Sequence, residues 1–214
     1  RTYDEMIAAS APYVPDLMAI DEDSLAELFY TSGTSAMPKG VMLTHRNVLA
    51  NCQQALAFAE GQLTGETETV VTPLPLYRIF SLTVNCLIFM ALGGRNILIA
   101  NPRDLPGVIK TLKNYRINQF PAVNTLFNAL ANDTEFAKLD FSGLKVSMGG
   151  GMAVQQATAE KWKKVTGCAI VEGYGLSETS PVATANRLDN TDFNGSIGFP
   201  LPSTEVAILD DDGN

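Results

Sequence analysis

A single histidine, His45, serves all 214 residues, so the chain cannot build a histidine-based metal cluster, and a Ser-His-Asp triad would have to centre on that one residue. Cysteine is equally scarce: Cys52, Cys86 and Cys168 are odd in number and widely spaced. That pattern fits buried thiols of a reducing compartment rather than disulfides or a metal site. Positive charge is in short supply too, with 15 Lys and Arg against 23 Asp and Glu and a net charge of −8. With no basic run and no basic–aromatic interleaving, a nucleic-acid surface is excluded. Long apolar runs are missing: the longest, Ile79 to Leu92, is too short to span a bilayer and carries Ser81, Thr83 and Asn85. It reads as a buried helix. No signal-peptide pattern is present. The chain starts at Arg1 without an initiator Met and stops at DDDGN, a turn signal that should lead into a returning strand. Both ends therefore read as those of a piece of a longer protein.

What is present is ordinary globular composition, 46% hydrophobic and 18% charged, punctuated by one unusual stretch. Between Tyr30 and Gly40 lie two Gly, two Ser, two Thr, one Pro and one Lys. Gly and Pro are poor helix formers, and Ser and Thr compete for backbone bonds, so this segment is a loop. Apolar runs flank it, Leu25 to Tyr30 and Val41 to Leu43, which predicts a hairpin. It is not a Walker A loop, because five residues separate Gly33 from Lys39, Pro38 precedes the lysine and strand-like residues follow. Its hydroxyls, N–H groups and ammonium suit a polyanion such as a triphosphate. Composition alone serves a plain surface turn equally well.

The rest alternates. Thr44 is placed to cap a helix from His45 to about Glu60, with Asn47 in its first turn. Strands are expected at Thr69–Pro73, Asn96–Ala100, Asn118–Pro121, Leu144–Ser147, Cys168–Glu172 and Val206–Leu209. Helices are expected at Ile79–Leu92, ended by Gly93-Gly94, and at Asp104–Tyr115. Two more are expected, from Asn124 or Thr125 to Asn132 and over Val154–Val165. Trp162 is assigned to packing, on a stripe with Val154, Ala157, Lys161 and Val165. Short strands alternating with helices give an α/β fold of βαβ units, a mostly parallel sheet flanked by helices. Residues 1–23 form a lead-in and 24–214 the core.

Parallel sheets bind ligands at the carboxyl ends of their strands. Three such ends carry unusual loops: LPLYRIF after Val71, GGGM after Ser147 and EGYGLSET after Val171. Gly149, Gly150 and Gly151 would let a flat ring lie on the backbone, or simply make a tight turn. Tyr174, between Gly173 and Gly175, could stack on a base. Ser177 offers a hydroxyl, and Glu178 a carboxylate for a hard cation such as Mg²⁺. Half-buried tyrosine and solvated glutamate are the plainer readings of those two residues. Taken together, base, phosphate and Mg²⁺ are the parts of ATP.

The ordered set YTSGTSAMPKGVMLTHRN, LPLYRIF, GGGM, EGYGLSET and GSIGFPLPSTEVAILDDDGN resembles the core motifs of the adenylate-forming superfamily, and most of all bacterial long-chain fatty acid–CoA ligases. The resemblance runs from about Asp23 to Asn214. It implies part of the large N-terminal domain of such an enzyme, with ATP, Mg²⁺ and CoA as cofactors and co-substrates and a fatty acid as substrate. Small molecules are the expected partners. Cytoplasmic placement is implied, with peripheral association at the inner face of the cell membrane and a homodimer left open. Carried over, Tyr30, Thr31, Ser32, Gly33, Thr34, Ser35, Lys39 and Gly40 belong to the phosphate loop. Gly149, Gly150, Gly151, Gly173, Tyr174 and Gly175 belong to the adenine pocket. Ser177 bonds the α-phosphate, and Glu178 holds Mg²⁺ with Thr31. Thr31, Lys39 and Glu178 are the catalytic candidates, while Tyr77, Arg78 and Met152 are candidates to meet the acid. Such families often carry His where Arg78 stands here, near the reacting carboxylate. An arginine there could pair with carboxylate or phosphate and re-aim the acyl tunnel. The family's ribose-binding Asp and catalytic Lys would fall beyond Asn214, in a later motif and a small C-terminal domain. The alternatives are a nucleotide- or acyl-binding piece without turnover, and an enzyme that adenylates another carboxylic acid.

Overall fold

A computed structural model describes residues 3–9, 20–31, 37–63 and 68–213. After a short helix, α1 (Tyr3–Ala9), strands β1 (Leu25–Thr31) and β2 (Lys39–Thr44) pair antiparallel as the predicted hairpin. Helix α2 (His45–Phe58) starts where Thr44 predicts. The Thr44 side chain accepts the Asn47 backbone N–H at 3.2 Å, while Asn47 Oδ1 accepts the Thr44 N–H at 2.9 Å. This reciprocal cap satisfies two otherwise orphaned donors. Replacing Thr44 with Ala is expected to cost about 1 kcal/mol, read as a lower denaturant midpoint with an unchanged slope.

A seven-stranded sheet follows, in the order β4-β3-β5-β6-β7-β8-β9. Its parallel part is β3 (Thr69–Thr72), β4 (Arg95–Leu98), β5 (Gln119–Ala122), β6 (Val146–Gly149) and β7 (Ile170–Gly175). Successive strand residues face opposite sides, and both sides are covered. Val71 and Phe120 pack with α4 (Leu105–Leu112), α5 (Asn124–Ala131) and α6 (Gln156–Thr166). Val70 packs on the other side with Cys52 of α2 and with Ile88 and Phe89 of α3 (Ile88–Ala91). Because β3 leads leftward to β4 while every later crossover runs rightward, the chain switches sides between β3 and β5. A crevice opens at the carboxyl ends of those two strands.

The apolar helix departs from regularity: Ser81–Leu87 winds as a π-helix before passing into α3. Two of its three buried polar side chains bond to the backbone of the segment they cover, while the buried Thr83 hydroxyl has no partner among the described residues. Ser81 Oγ donates to the Leu74 carbonyl at 3.0 Å and Asn85 Nδ2 to that of Val71 at 2.9 Å. Gly93 and Gly94 end the helix as expected, with the Gly94 N–H on the Phe89 carbonyl at 2.7 Å.

Two expectations are corrected. Val206–Leu209 is not a strand: it pairs with no described residue, and Ile208 is 97% exposed. The sheet's last members are instead β8 (Val182–Ala185) and β9 (Phe199–Pro200), both antiparallel. Asn51 of α2 holds β8 as a neighbouring strand would, giving Nδ2 to the Val182 carbonyl at 2.7 Å and accepting the Val182 N–H at 3.0 Å. Trp162 does pack, in one core with Val154 and Val165 as expected, but the buried stripe of its helix also includes Thr158, Ala159 and Thr166, while Ala157 and Lys161 face solvent.

Candidate functional site

On the α2 side of the sheet lies a cavity of about 520 Å³. Its sheet wall is Gln119 and Pro121 of β5 and Val146 and Met148 of β6. These are the residues whose neighbours Phe120 and Ser147 point into the opposite core. Leu74, Pro75 and the π-helix close it from above, and Ala55 and Phe58 of α2 from the side. From Gly150 to Val146 it follows four steps of strand, about 13 Å at 3.3 Å per residue. Its floor is Gln119, whose Nε2 donates to the buried Glu68 carboxylate at 3.4 Å, and Glu68 is paired with Lys145 at 2.5 Å.

Of the sequence-predicted residues, Arg78, Gly150, Gly151, Met152, Gly173, Tyr174, Gly175 and Ser177 all line this one cavity. Tyr174 is half exposed at its rim, at the end of β7. Tyr77 lies outside it, 76% exposed. Thr31 and Lys39 sit opposite each other at the hairpin's end, with Thr31 Oγ1 3.5 Å from the Lys39 carbonyl. Tyr30 and Gly40 form the next pair. Ser32, Gly33, Thr34 and Ser35 lie outside the described residues. The turn Ser177–Thr179 packs against β2, so hairpin and turn are neighbours. Glu178, exposed on that turn, has no hydrogen-bond or ion-pair partner among the described residues. One unpartnered carboxylate beside a hydroxyl suits Mg²⁺, which takes one or two carboxylates plus phosphate oxygens rather than a protein cage. The described residues hold no cluster of three or more His, Cys, Asp or Glu that could bind a metal.

The glycines are tightly used. A Cβ at Gly149 would sit 2.5 Å from Val154, and one at Gly150 would sit 2.7 Å from the ring of Phe80. The flat ring lying on Gly150 is thus Phe80, a cavity-lining residue that sequence reasoning passed over although it belongs to LPLYRIF. At Gly175 a Cβ would meet the Pro181 carbonyl at 1.8 Å, so only glycine lets β7 and β8 close together there. The three cysteines are free thiols, with Cys52 buried and the others half-buried. Burial, with Glu27 adding negative potential, pushes the Cys52 thiol up to about 11, which leaves it without nucleophilic character at neutral pH.

The sequence profile of the AMP-binding enzymes matches residues 3–214. The chain belongs to that family. Among relatives of this AMP-binding chain, the long-chain-fatty-acid–CoA ligase of Yersinia pestis is 54% identical over 200 residues, covering 94% of this chain and 35% of the relative. The enzyme of the same name from Bacillus subtilis is 37% identical over 191 residues, covering 89% and 34%. The chain therefore spans about a third of the curated relatives it matches. Among solved structures, the anthranilate CoA ligase AuaEII in complex with anthranoyl-AMP superposes with a TM-score of 0.77 at 25% identity, covering 90% of this chain and 37% of that one. The family is that of the adenylate-forming enzymes. No helix among the described residues is long and apolar enough to cross a membrane.

Proposed function

We propose that the protein to which this chain contributes converts a long-chain fatty acid and ATP into acyl-AMP and pyrophosphate, then passes the acyl group to CoA. One observation carries this reading: a deep apolar cavity ends, at its rim, in Gly150, Tyr174 and Ser177, beside the hairpin. In the first step a carboxylate oxygen forms a bond to the α-phosphorus and the bond to pyrophosphate breaks. In the second, the CoA sulfur bonds the acyl carbon and AMP leaves. Both reactants of the first step are anions, so the site must neutralise charge and hold them in line.

Thr31, Lys39 and the loop between them are assigned to the phosphates, Gly149–Gly151 and Tyr174 to adenine, and Ser177 to the α-phosphate. Glu178, with Thr31, would hold Mg²⁺. When bound, that ion supplies positive charge to the phosphate oxygens. Long acyl chains are favoured over short or aromatic acids because the cavity extends some way along the sheet, and each buried methylene contributes about 0.8 kcal/mol. An amino-acid substrate is disfavoured, since no Asp or Glu among the described residues lines the cavity to receive an ammonium group.

Given ATP and Mg²⁺, the intact protein is expected to release pyrophosphate with palmitate and dodecanoate much faster than with benzoate or phenylalanine. No release with either fatty acid would overturn the proposal.

A further inference from the structure

Among the described residues, the polar side chains lining the cavity are Arg78, Ser81, Gln119, Tyr174 and Ser177. Arg78 and Tyr174 are exposed and Ser177 is half-buried, so these three stand towards the mouth. The Ser81 hydroxyl donates to the Leu74 carbonyl at 3.0 Å. Gln119 lies at the far end, only 4% exposed, in register with Val146 of β6 and Val70 of β3. Glu68 dictates how its amide is turned. A carboxylate paired with Lys145 only accepts, so Nε2 faces it at 3.4 Å and Oε1 points away from it. That carbonyl oxygen has no hydrogen-bond partner among the described residues, yet it is not sealed off. The open space that Gln119 borders is the cavity. A largely apolar hole thus ends in a fixed, unused acceptor.

We propose that the hole takes an acid whose far end carries a hydrogen-bond donor, in its plainest form an ω-hydroxy fatty acid, and that Gln119 reads that end. The proposal rests on the acid-activating reading above and narrows its substrate class. The dimensions agree. An extended chain advances about 3.3–3.6 Å for every three backbone bonds, so about 13 Å of strand matches about eleven bonds. An acid of about twelve carbons, with its carboxyl group at the rim, brings its last carbon to Gln119. A methyl end there would bury the Gln119 carbonyl with nothing to accept, whereas a hydroxyl end replaces the bond lost from water. The amide is not free to swing away, because Glu68 holds its Nε2. The plainer alternative is that Gln119 only caps the buried Glu68 and a hydrocarbon end packs against it. The two readings give opposite orders of substrate, since a hydroxyl that enters an apolar hole without a partner is penalised.

The experiment compares ω-hydroxydodecanoate with tridecanoate, which match in size and differ in a hydroxyl for a methyl group. The intact protein receives each acid with ATP and Mg²⁺, and pyrophosphate release gives kcat/KM. Binding of each acid is measured separately by displacement of a fluorescent long-chain fatty acid. Wild type is expected to favour the hydroxy acid at least about tenfold in both assays. Gln119→Met, similar in size but without a polar end, is expected to reverse the order by about tenfold. The ratio of two acids within one protein cancels any general loss of activity. Tridecanoate equal to or ahead of the hydroxy acid in wild type overturns the proposal and leaves Gln119 as a cap on Glu68. A hydroxyl preference that survives in Gln119→Met places its partner elsewhere and overturns it as well. Should that variant fail to fold, the wild-type order decides alone. If wild type releases no pyrophosphate with any fatty acid, the ligase reading fails, and the displacement assay still decides the role of Gln119.

Discussion

Replacing Glu178 with Ala is expected to lower fatty-acid-dependent pyrophosphate release at least about a hundredfold, because a lost ligand to the charge-neutralising ion removes several kcal/mol of transition-state stabilisation. The fold should be untouched: Glu178 is exposed and has no partner among the described residues, so its removal leaves nothing unsatisfied. Thermal unfolding without nucleotide should therefore match wild type. Raising Mg²⁺ should partly restore Glu178→Asp, which keeps a carboxylate, but not Glu178→Ala. Kinetics unchanged from wild type in both variants would remove Glu178 from the metal role and leave it a surface charge.

The second large effect belongs to the opposite side of the sheet. Trp162 is fully buried, with its ring 4.7 Å from that of Phe127, 5.2 Å from Phe120 and 5.3 Å from Phe136. Its indole N–H donates to Ser147 Oγ at 2.9 Å. Trp162→Ala is expected to cost about 3–5 kcal/mol, from lost apolar burial and the cavity left behind. Against a total stability of about 5–15 kcal/mol, that approaches unfolding at physiological temperature. Trp162→Phe keeps most of the ring contacts and loses one hydrogen bond, while the Ser147 hydroxyl still donates to Cys168 Sγ at 3.5 Å, so its cost should be about 1 kcal/mol. Far-ultraviolet circular dichroism in denaturant measures both, since the substitution removes the chain's only tryptophan fluorophore. A loss under 1 kcal/mol for Trp162→Ala would mean that the aromatic cluster is not a main stabiliser of this domain.

Signals local in sequence were readable. The hairpin announces itself by the Gly, Pro, Ser and Thr content between two apolar runs, and α2 by a capping threonine followed by Asn47. The end of the apolar helix is marked by paired glycines. What depended on distant partners was not readable. β8 is held by its ladders to β7 and β9 and, at Val182, by Asn51 from 131 positions earlier, and no local pattern reports that last partner. Val206–Leu209 has the apolar content of a strand but no hydrogen-bonded neighbour among the described residues, and a strand is defined by its ladder. β6 runs two residues beyond its expected end because Gly149, a poor strand former by propensity, completes the register with Ala122. In the site, the glycines drew notice as room for a ligand. Their spacing could not say that Val154 and Phe80 already take part of that room.

The alternation along β5 and β6 has a consequence for how such a protein can diversify. Val146 and Met148 face the cavity while Ser147, between them, faces Trp162; Pro121 and Phe120 divide in the same way. The wall that would set which tail fits and the core that holds the domain together are interleaved in the sequence yet separated in space by the sheet. Substitutions at the first set act on a hollow, where a change of side-chain volume alters capacity. At the second set the same change meets close-packed rings. Substrate range can therefore drift by single odd or even steps along two short strands without drawing on the domain's stability.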